Sequence, residues 1–360
     1  MRVFVAGASG AIGRRLVPQL IDAGHEVVGT YNSPSSAELL RRLGATPVEL
    51  DQLDAGAVRK AVLASEPEAI VHQATALANV KFSRNMDKVT ARTSELRTKG
   101  TDALLAGARE AGVRRFVAQS VASFSRYARE GGPVKSENDP LDPSPPAHFR
   151  KSAVAMAYLE QAVTDAGGIA LRYGAFYGAA NDGTIEPVRK RQFPIVGDGG
   201  GVWSWIHLDD AASATVLALD HDGPAIFNVV DDDPAPVREW LPVLADALGA
   251  KPPRHVPTWL ARVLAGEAVT VMSTQARGAS NVKAKRELGW TPRFPTWRTG
   301  FAAVYSAIGA ADPLTRAAWR GARPEWVGAP PSFLPRARAA VPSDAARSSL
   351  RETTFRRKQR

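Results

Sequence analysis

The sequence predicts an α/β fold: a doubly wound parallel sheet with a smaller lobe towards its C-terminal end. Three observations predict it. Short apolar, β-branched runs alternate with helical patterns from the first residues onward. The first run breaks at once into three glycines spaced three apart, Gly7, Gly10 and Gly13. Beyond residue 172 the alternation gives way to a stretch rich in glycine and aromatic residues.

Residues 2–6 are the first strand candidate. The helix expected at 11–23 follows directly, with Ile12, Leu16 and Leu20 on one face. Strand, tight glycine turn and helix N-terminus are the parts that hold a pyrophosphate. Bare backbone N–H groups and the positive helix end face the anion, and glycine admits it without a Cβ in the way. Gly7, Ser9, Gly10, Ala11, Ile12 and Gly13 are therefore candidate binding residues. Further strands are expected at 26–30, 46–50, 69–73, 115–119 and 168–172, with helices near 35–43, 55–65, 86–111 and 149–166. The 86–111 segment carries Leu96, Leu104 and Leu105 and stops at Gly112. In the loop 128–147, Pro143-Ser144-Pro145-Pro146 excludes a helix interior, and a loop this long points to a functional or mobile segment. A helix at 209–219, a strand at 225–230 and a helix at 236–249 complete the pattern.

Composition narrows the class. The chain of 360 residues is long enough to bury a sizeable core, and 44% hydrophobic with 23% charged residues is ordinary for a globular protein. No apolar run approaches the roughly 20 residues of a membrane helix, and the first apolar segment is too short for a signal peptide. Zero cysteines exclude disulfides, thiolate metal sites and a cysteine nucleophile, and fit a cytoplasmic protein. No metal site is expected. The net charge of +10 suggests nucleic acid until it is located: the tail 311–360 holds 11 basic and 4 acidic residues. The body before it is nearly balanced, so neither nucleic acid nor membrane is an expected partner.

Later segments add to the opening motif. They are Asp51 after the third strand, Gln73-Ala74-Thr75 after the fourth and Ser120 after the fifth. Leu171-Arg172-Tyr173-Gly174 with Tyr177-Gly178, Ile206-His207-Leu208-Asp209-Asp210-Ala211 and Leu288-Gly289-Trp290-Thr291-Pro292 follow. With these, residues 1–305 resemble the extended branch of the short-chain dehydrogenase/reductase superfamily, the NAD(P)-dependent epimerases, dehydratases and reductases. The resemblance implies a Rossmann-type dinucleotide-binding domain over 1–172 and a smaller substrate lobe over 173–308, interleaved with it. Residues 309–360 form a basic Pro/Ala/Arg-rich tail, read as disordered.

The resemblance also implies roles. Asp51, with Gln52 beside it, faces the adenine amino group; the alternative is a helix N-cap for the segment near Ala55. Gln73, Ala74 and Thr75 run under the cofactor's ribose, and Tyr173 lies near it. Ser120 hydrogen-bonds the substrate carbonyl, unless it is a strand-end serine. His207 reads as a structural histidine. Phe176, Trp203 and Trp205 line a pocket or form the lobe's core. Arg189, Lys190 and Arg191 are candidates for a substrate diphosphate or a solvated helix face. The second strand ends in Thr30, Tyr31, Asn32 and Ser33 without an acid, which favours NADP(H) over NAD(H). A homodimer through the helices near 86–111 and 149–166 is the implied assembly, and a small molecule the implied substrate.

One family feature is missing. Members carry a Tyr-x-x-x-Lys pair at the start of the helix after the fifth strand, where the tyrosine exchanges a proton and the lysine lowers its pKa. Here Phe149 and Ala153 fall on those positions. Lys151 and Tyr158 point to other faces of the helix. His148, Tyr173 and Tyr177 are the possible substitutes. The expected function is an NAD(P)(H)-dependent oxidoreductase or epimerase/dehydratase-like enzyme for a small carbonyl or hydroxyl compound, acting through Ser120 with His148 or a nearby tyrosine. The alternatives are a non-catalytic NAD(P)-binding regulator or sensor, and an RNA-associated member using the basic tail.

Overall fold

The computed structural model describes residues 1–78, 80, 83–122, 126–178 and 183–310, the last four of these without their side chains. Seven strands form the main sheet: β1 (Arg2–Ala6), β2 (Glu26–Tyr31), β3 (Thr46–Glu49), β4 (Ala69–His72), β5 (Arg115–Val121), β6 (Ile169–Tyr173) and β7 (Ala225–Val229). Their order is β7-β6-β5-β4-β1-β2-β3, and every neighbouring pair is parallel. The chain winds outward from β1 in one direction and from β4 in the other. The crevice at the carboxyl ends of these two strands is where such sheets bind ligands.

The inner strands β1 and β4 are almost wholly apolar because both faces are covered, while the edge strand β3 keeps Thr46 and Glu49 exposed. On one face, α1 (Gly13–Asp22) packs Leu16, Val17 and Leu20 against Val3, Val5 and Val71, and α2 (Pro34–Arg42) adds Leu40 to the same core. On the other, α3 (Ala55–Ser65), α4 (Thr101–Glu110) and α5 (Arg150–Asp165) bring Val58, Val62, Leu104, Leu159 and Val163 onto Phe4, Ile70 and Phe116. A second core gathers Trp203, Trp205, Trp240, Tyr177, Trp297 and Phe301, all buried.

Three sequence expectations change. The segment 86–111 is not one helix: it runs as Met86–Val89, Ala91–Glu95, a π-helical turn Leu96–Gly100 and then α4. The sharp boundary at 172 also goes, since within the expected interleaving α6 (Leu208–Ala218) packs on α1 and β7 pairs with β6. The loop 128–147 is pinned: Val134–Lys135 pairs with Gly278–Ala279, and Arg129 bonds the Asp142 carboxylate. Among the described residues no helix is long and apolar enough to cross a membrane. The tail expectation falls outside the described residues.

Candidate functional site

The glycine turn has the geometry its sequence implies. Gly7 sits at φ +83°, and a Cβ there would lie 2.8 Å from the Ala74 backbone, so the turn packs on the chain leaving β4. A Cβ on Gly13 would lie 2.3 Å from the Ala8 carbonyl oxygen, so only glycine lets α1 start this close to β1. Helix α1 begins at Ile12 without a side-chain cap, and Gly10 and Ala11 are exposed beside it. An uncapped helix N-terminus over an exposed glycine turn fits a dinucleotide pyrophosphate.

The end of β2 is more mixed. The Thr30 hydroxyl is buried, accepting from the Gly7 N–H at 2.9 Å and the Gln52 amide at 3.4 Å. It therefore shapes the turn from inside. Gln52 is likewise buried behind it. Tyr31 is half-buried and Asn32 exposed at the strand's end. Sequence reading missed Arg14, whose exposed side chain folds back so that Nε donates to the Ser9 carbonyl at 2.8 Å. A basic residue directly after the third glycine was the available signal. The exposed Asp51 carboxylate accepts from the Leu53 N–H and from Arg92, while the cap of α3 is its neighbour Asp54.

Past β4, the buried Gln73 amide donates to the Tyr173 hydroxyl at 3.0 Å. Tyr173 in turn donates to Thr215 at 2.6 Å, since the Thr215 proton goes to the Ala211 carbonyl. Burial pushes Tyr173 up to about 12. Its proton is held inside the sheet, which corrects its candidacy as an acid or a cofactor contact. Ala74 and Thr75 are half-buried along the turn.

The side chains at positions 149 and 153 sit among apolar groups. Phe149 clusters with Met156 and Ala268, flanked by Met86, Val121 and Ala153. The Lys151 side chain is exposed, and Tyr158 donates to Asp102 on the outer face. His148 is exposed beside Phe149. Tyr177 is buried in the lobe core against Trp205 and Phe301, and burial raises it far above the ordinary phenol range. Trp203 is core as well: its Nε1 donates to the Met272 carbonyl, and its ring lies 4.9 Å from that of Trp240. This corrects its placement on a pocket wall, and the buried Trp205 goes with it. Phe176 is half-buried, 5.5 Å from the Tyr173 ring. His207 is structural: Nδ1 accepts from the Asp209 N–H, the ring lies on Phe294, and burial lowers it to about 4. Lys190 pairs with Glu186, and the Arg191 Nε donates to the Pro252 carbonyl.

Ser120 enters a buried charge network. Its hydroxyl donates to Glu160 Oε1 at 2.5 Å, and Arg172 grips the same carboxylate with two bonds of 3.0 and 2.7 Å. Burial opposes the charge on Glu160, but Arg126 and Arg172 overcome it and hold the carboxyl below its ordinary range. Arg172 also donates to Tyr127, which donates to Asn228. Sequence reading missed Arg97, Arg126 and Glu160, which lie far apart in the chain and look like solvated helix or loop charges.

The sequence profile of the NAD dependent epimerase/dehydratase family matches residues 3–229. A 3-diazoavenalumate denitrifying reductase of Streptomyces is 42% identical, over 83% of this chain and 99% of the reductase. A 4-hydroxy-2-methyl-3-oxo-4-farnesyl-3,4-dihydroquinoline-1-oxide ketoreductase of Stigmatella aurantiaca is 27% identical, over 81% of this chain and 92% of its own. Among solved structures, the UDP-glucose 4-epimerase of Thermus thermophilus in complex with NAD superposes with a TM-score of 0.68. It is 24% identical, covering 86% of this chain and 100% of that one, a likeness in fold.

Proposed function

The chain belongs to the NAD-dependent epimerase/dehydratase family, and from that premise we propose that it is an NADPH-dependent reductase whose substrate accepts hydride without a proton from the protein. One observation carries the reading: Phe149 and Ala153 stand in an apolar cluster where the family places a phenol and an ammonium. A ketone reduced there would develop an alkoxide beside hydrocarbon, with no acid to quench it. An arenediazonium carbon has no such need, because the hydride neutralises the charge that the cation already carries. When bound, the reduced nicotinamide supplies hydride, so that a C–H bond forms, the C–N bond breaks and its electron pair leaves with dinitrogen. The relative named for denitrifying reduction of a diazo acid supports this substrate class.

The chain's own residues bind and exclude. The glycine turn Gly7–Gly13 and the N-terminus of α1 hold the pyrophosphate, and Ala74 and Thr75 leave room for a ribose. Arg14, Asn32 and Tyr31 face the adenosine end, and with no acid there a 2′-phosphate is accepted. Phe149, Met156 and Val121 keep water from the reacting carbon. Ser120 is a positioning residue, tying the end of β5 to α5 through Glu160.

The test is turnover of the purified protein with NADPH or NADH against an arenediazonium salt and against a ketone of the same skeleton. Nitrogen release, with deuterium from 4-deuterated NADPH appearing in the arene, supports the reading. Ketone reduction with diazonium inert overturns it.

A further inference from the structure

Three guanidinium groups are buried around a single carboxylate. Arg97, Arg126 and Arg172 are 5%, 3% and 4% exposed, and Glu160 is 3% exposed. Arg172 holds Glu160 through both of its oxygens. Arg126 shares that carboxylate only through a contact of 2.7 Å from Nη2, without the alignment of a hydrogen bond. Its Nη1 donates to the Ala153 carbonyl, and its Nε has no partner. Arg97 makes no hydrogen bond or ion pair among the described residues, and its buried Nε is likewise without a partner. His72, which bonds the same turn, adds no negative charge: Nδ1 accepts from the Ala74 N–H, so Nε2 is the atom that carries hydrogen towards the Leu96 carbonyl. Arg126 and Arg172 thus share one carboxylate and Arg97 pairs with no anion among the described residues, so three buried cations face a single buried anion, an arrangement that is costly unless something compensates it.

The placement is as informative as the charge. Arg97 lies on the π-helical turn Leu96–Gly100, a widening of the helix that recurs at functional sites. His72 ties that turn to the end of β4, while Ser120 and Arg126 tie the network to the end of β5 and to Ala153. We propose that Arg97 and Arg126 form a buried receptor for the carboxylate of the substrate, beside the apolar cluster of Phe149, Met156 and Val121. An aromatic or alkenyl carboxylic acid satisfies both neighbours: its anion meets the guanidinium N–H groups and its carbon skeleton meets the hydrocarbon. Burial pushes Arg97 down to about 10, with the Arg126 charge adding to this and Glu160 opposing it, so the receptor is cationic at neutral pH. The inference rests on the proposed reading only in taking the carboxyl ends of β4 and β5 as the reaction site.

The experiment is calorimetric titration of the protein, with and without NADP⁺, using cinnamate, cinnamamide and inorganic phosphate. Cinnamate is expected to bind at least about tenfold more tightly than its amide, a difference of about 1.4 kcal/mol. Arg97→Gln is expected to abolish that preference while leaving NADP⁺ affinity unchanged. It should also raise the melting temperature of the ligand-free protein, because an uncompensated buried charge has gone. Arg97→Lys, which keeps the charge, should retain part of the preference, and Arg126→Gln is the second variant should Arg97→Gln fold poorly. Equal binding of acid and amide overturns the proposal. So does a loss of NADP⁺ affinity with cinnamate binding intact, which would assign the anion to the cofactor. A cinnamate preference without diazonium turnover would leave the receptor standing and remove only the reductase reading.

Discussion

The Ser120 hydroxyl donates to Glu160 across 2.5 Å, joining the end of the central strand β5 to the middle of α5. The acceptor is itself locked by Arg172, so the serine has little freedom to turn towards a substrate. Ser120→Ala therefore removes a buried hydrogen bond to a charged group, worth about 1.5–3 kcal/mol. Thermal or urea unfolding should show that loss, while kcat for diazonium reduction falls less than about tenfold, below what loss of a general acid costs.

Gly7 and Ala74 meet without room for another atom. Gly7→Ala adds a Cβ at 2.8 Å from the Ala74 backbone and forces a left-handed conformation costing about 1–2 kcal/mol. The expected outcome is a lower melting temperature together with loss of dinucleotide binding by calorimetry. Retention of wild-type NADPH affinity would contradict the placement of the pyrophosphate.

Placing a tyrosine and a lysine at positions 149 and 153 should add no activity, and for an electrostatic reason. Phe149→Tyr alone keeps the ring shape and should be tolerated. Ala153→Lys places an ammonium in the same cluster, next to the Arg126 guanidinium that bonds the Ala153 carbonyl. An uncompensated buried charge of this kind costs roughly 3–5 kcal/mol. The double variant should thus unfold at lower temperature and gain no ketone reduction, as melting curves and NADPH oxidation would show.

These elements differ in how far they could be read from sequence. The glycine turn and all seven strands were legible because each is local: β-branched runs, punctuating glycines and a helical period sit within a few residues of one another. The apolar pair Phe149 and Ala153 was legible for the same reason, as the two are four apart at the entry to α5. The charge network was not. Arg97, Arg126, Glu160 and Arg172 come from four separate elements, and a lone arginine or glutamate on a helix ordinarily faces water. The π-helical turn leaves no compositional trace, so 86–111 read as one helix. Trp203 and Trp205 were undecided between pocket and core until Trp240, from a helix more than thirty residues on, was seen to cover them.

Two buried histidines set an acid limit to stability. Burial lowers both His72 and His207 to about 4, from about 6.5 when unfolded. Between those values the unfolded chain binds more protons than the folded one. Their stabilising effect is therefore complete above the unfolded value and is lost as pH falls towards 4. Each can account for about 3 kcal/mol across that window. His72→Gln keeps an acceptor for the Ala74 N–H and a donor for the Leu96 carbonyl, so it should flatten the acid limb of a stability–pH curve by about half.

The proposed preference for NADPH makes Arg14 the residue to test. The end of β2 offers no acid against a 2′-phosphate, yet the hydroxyl of Thr30 is held inside by Gly7 and Gln52. The positive charge beside the turn is Arg14, held over it by the Ser9 carbonyl and otherwise exposed. A guanidinium there can pair with a phosphate dianion and has nothing comparable to offer a ribose hydroxyl. Arg14→Ala should weaken NADPH binding about tenfold, about 1.4 kcal/mol, and leave NADH within about twofold. Added salt should narrow the gap between the two cofactors in the native protein and barely alter it in the variant, since an exposed ion pair is screened and a neutral contact is not. Equal losses for both nucleotides would move Arg14 from the 2′-phosphate to the pyrophosphate they share.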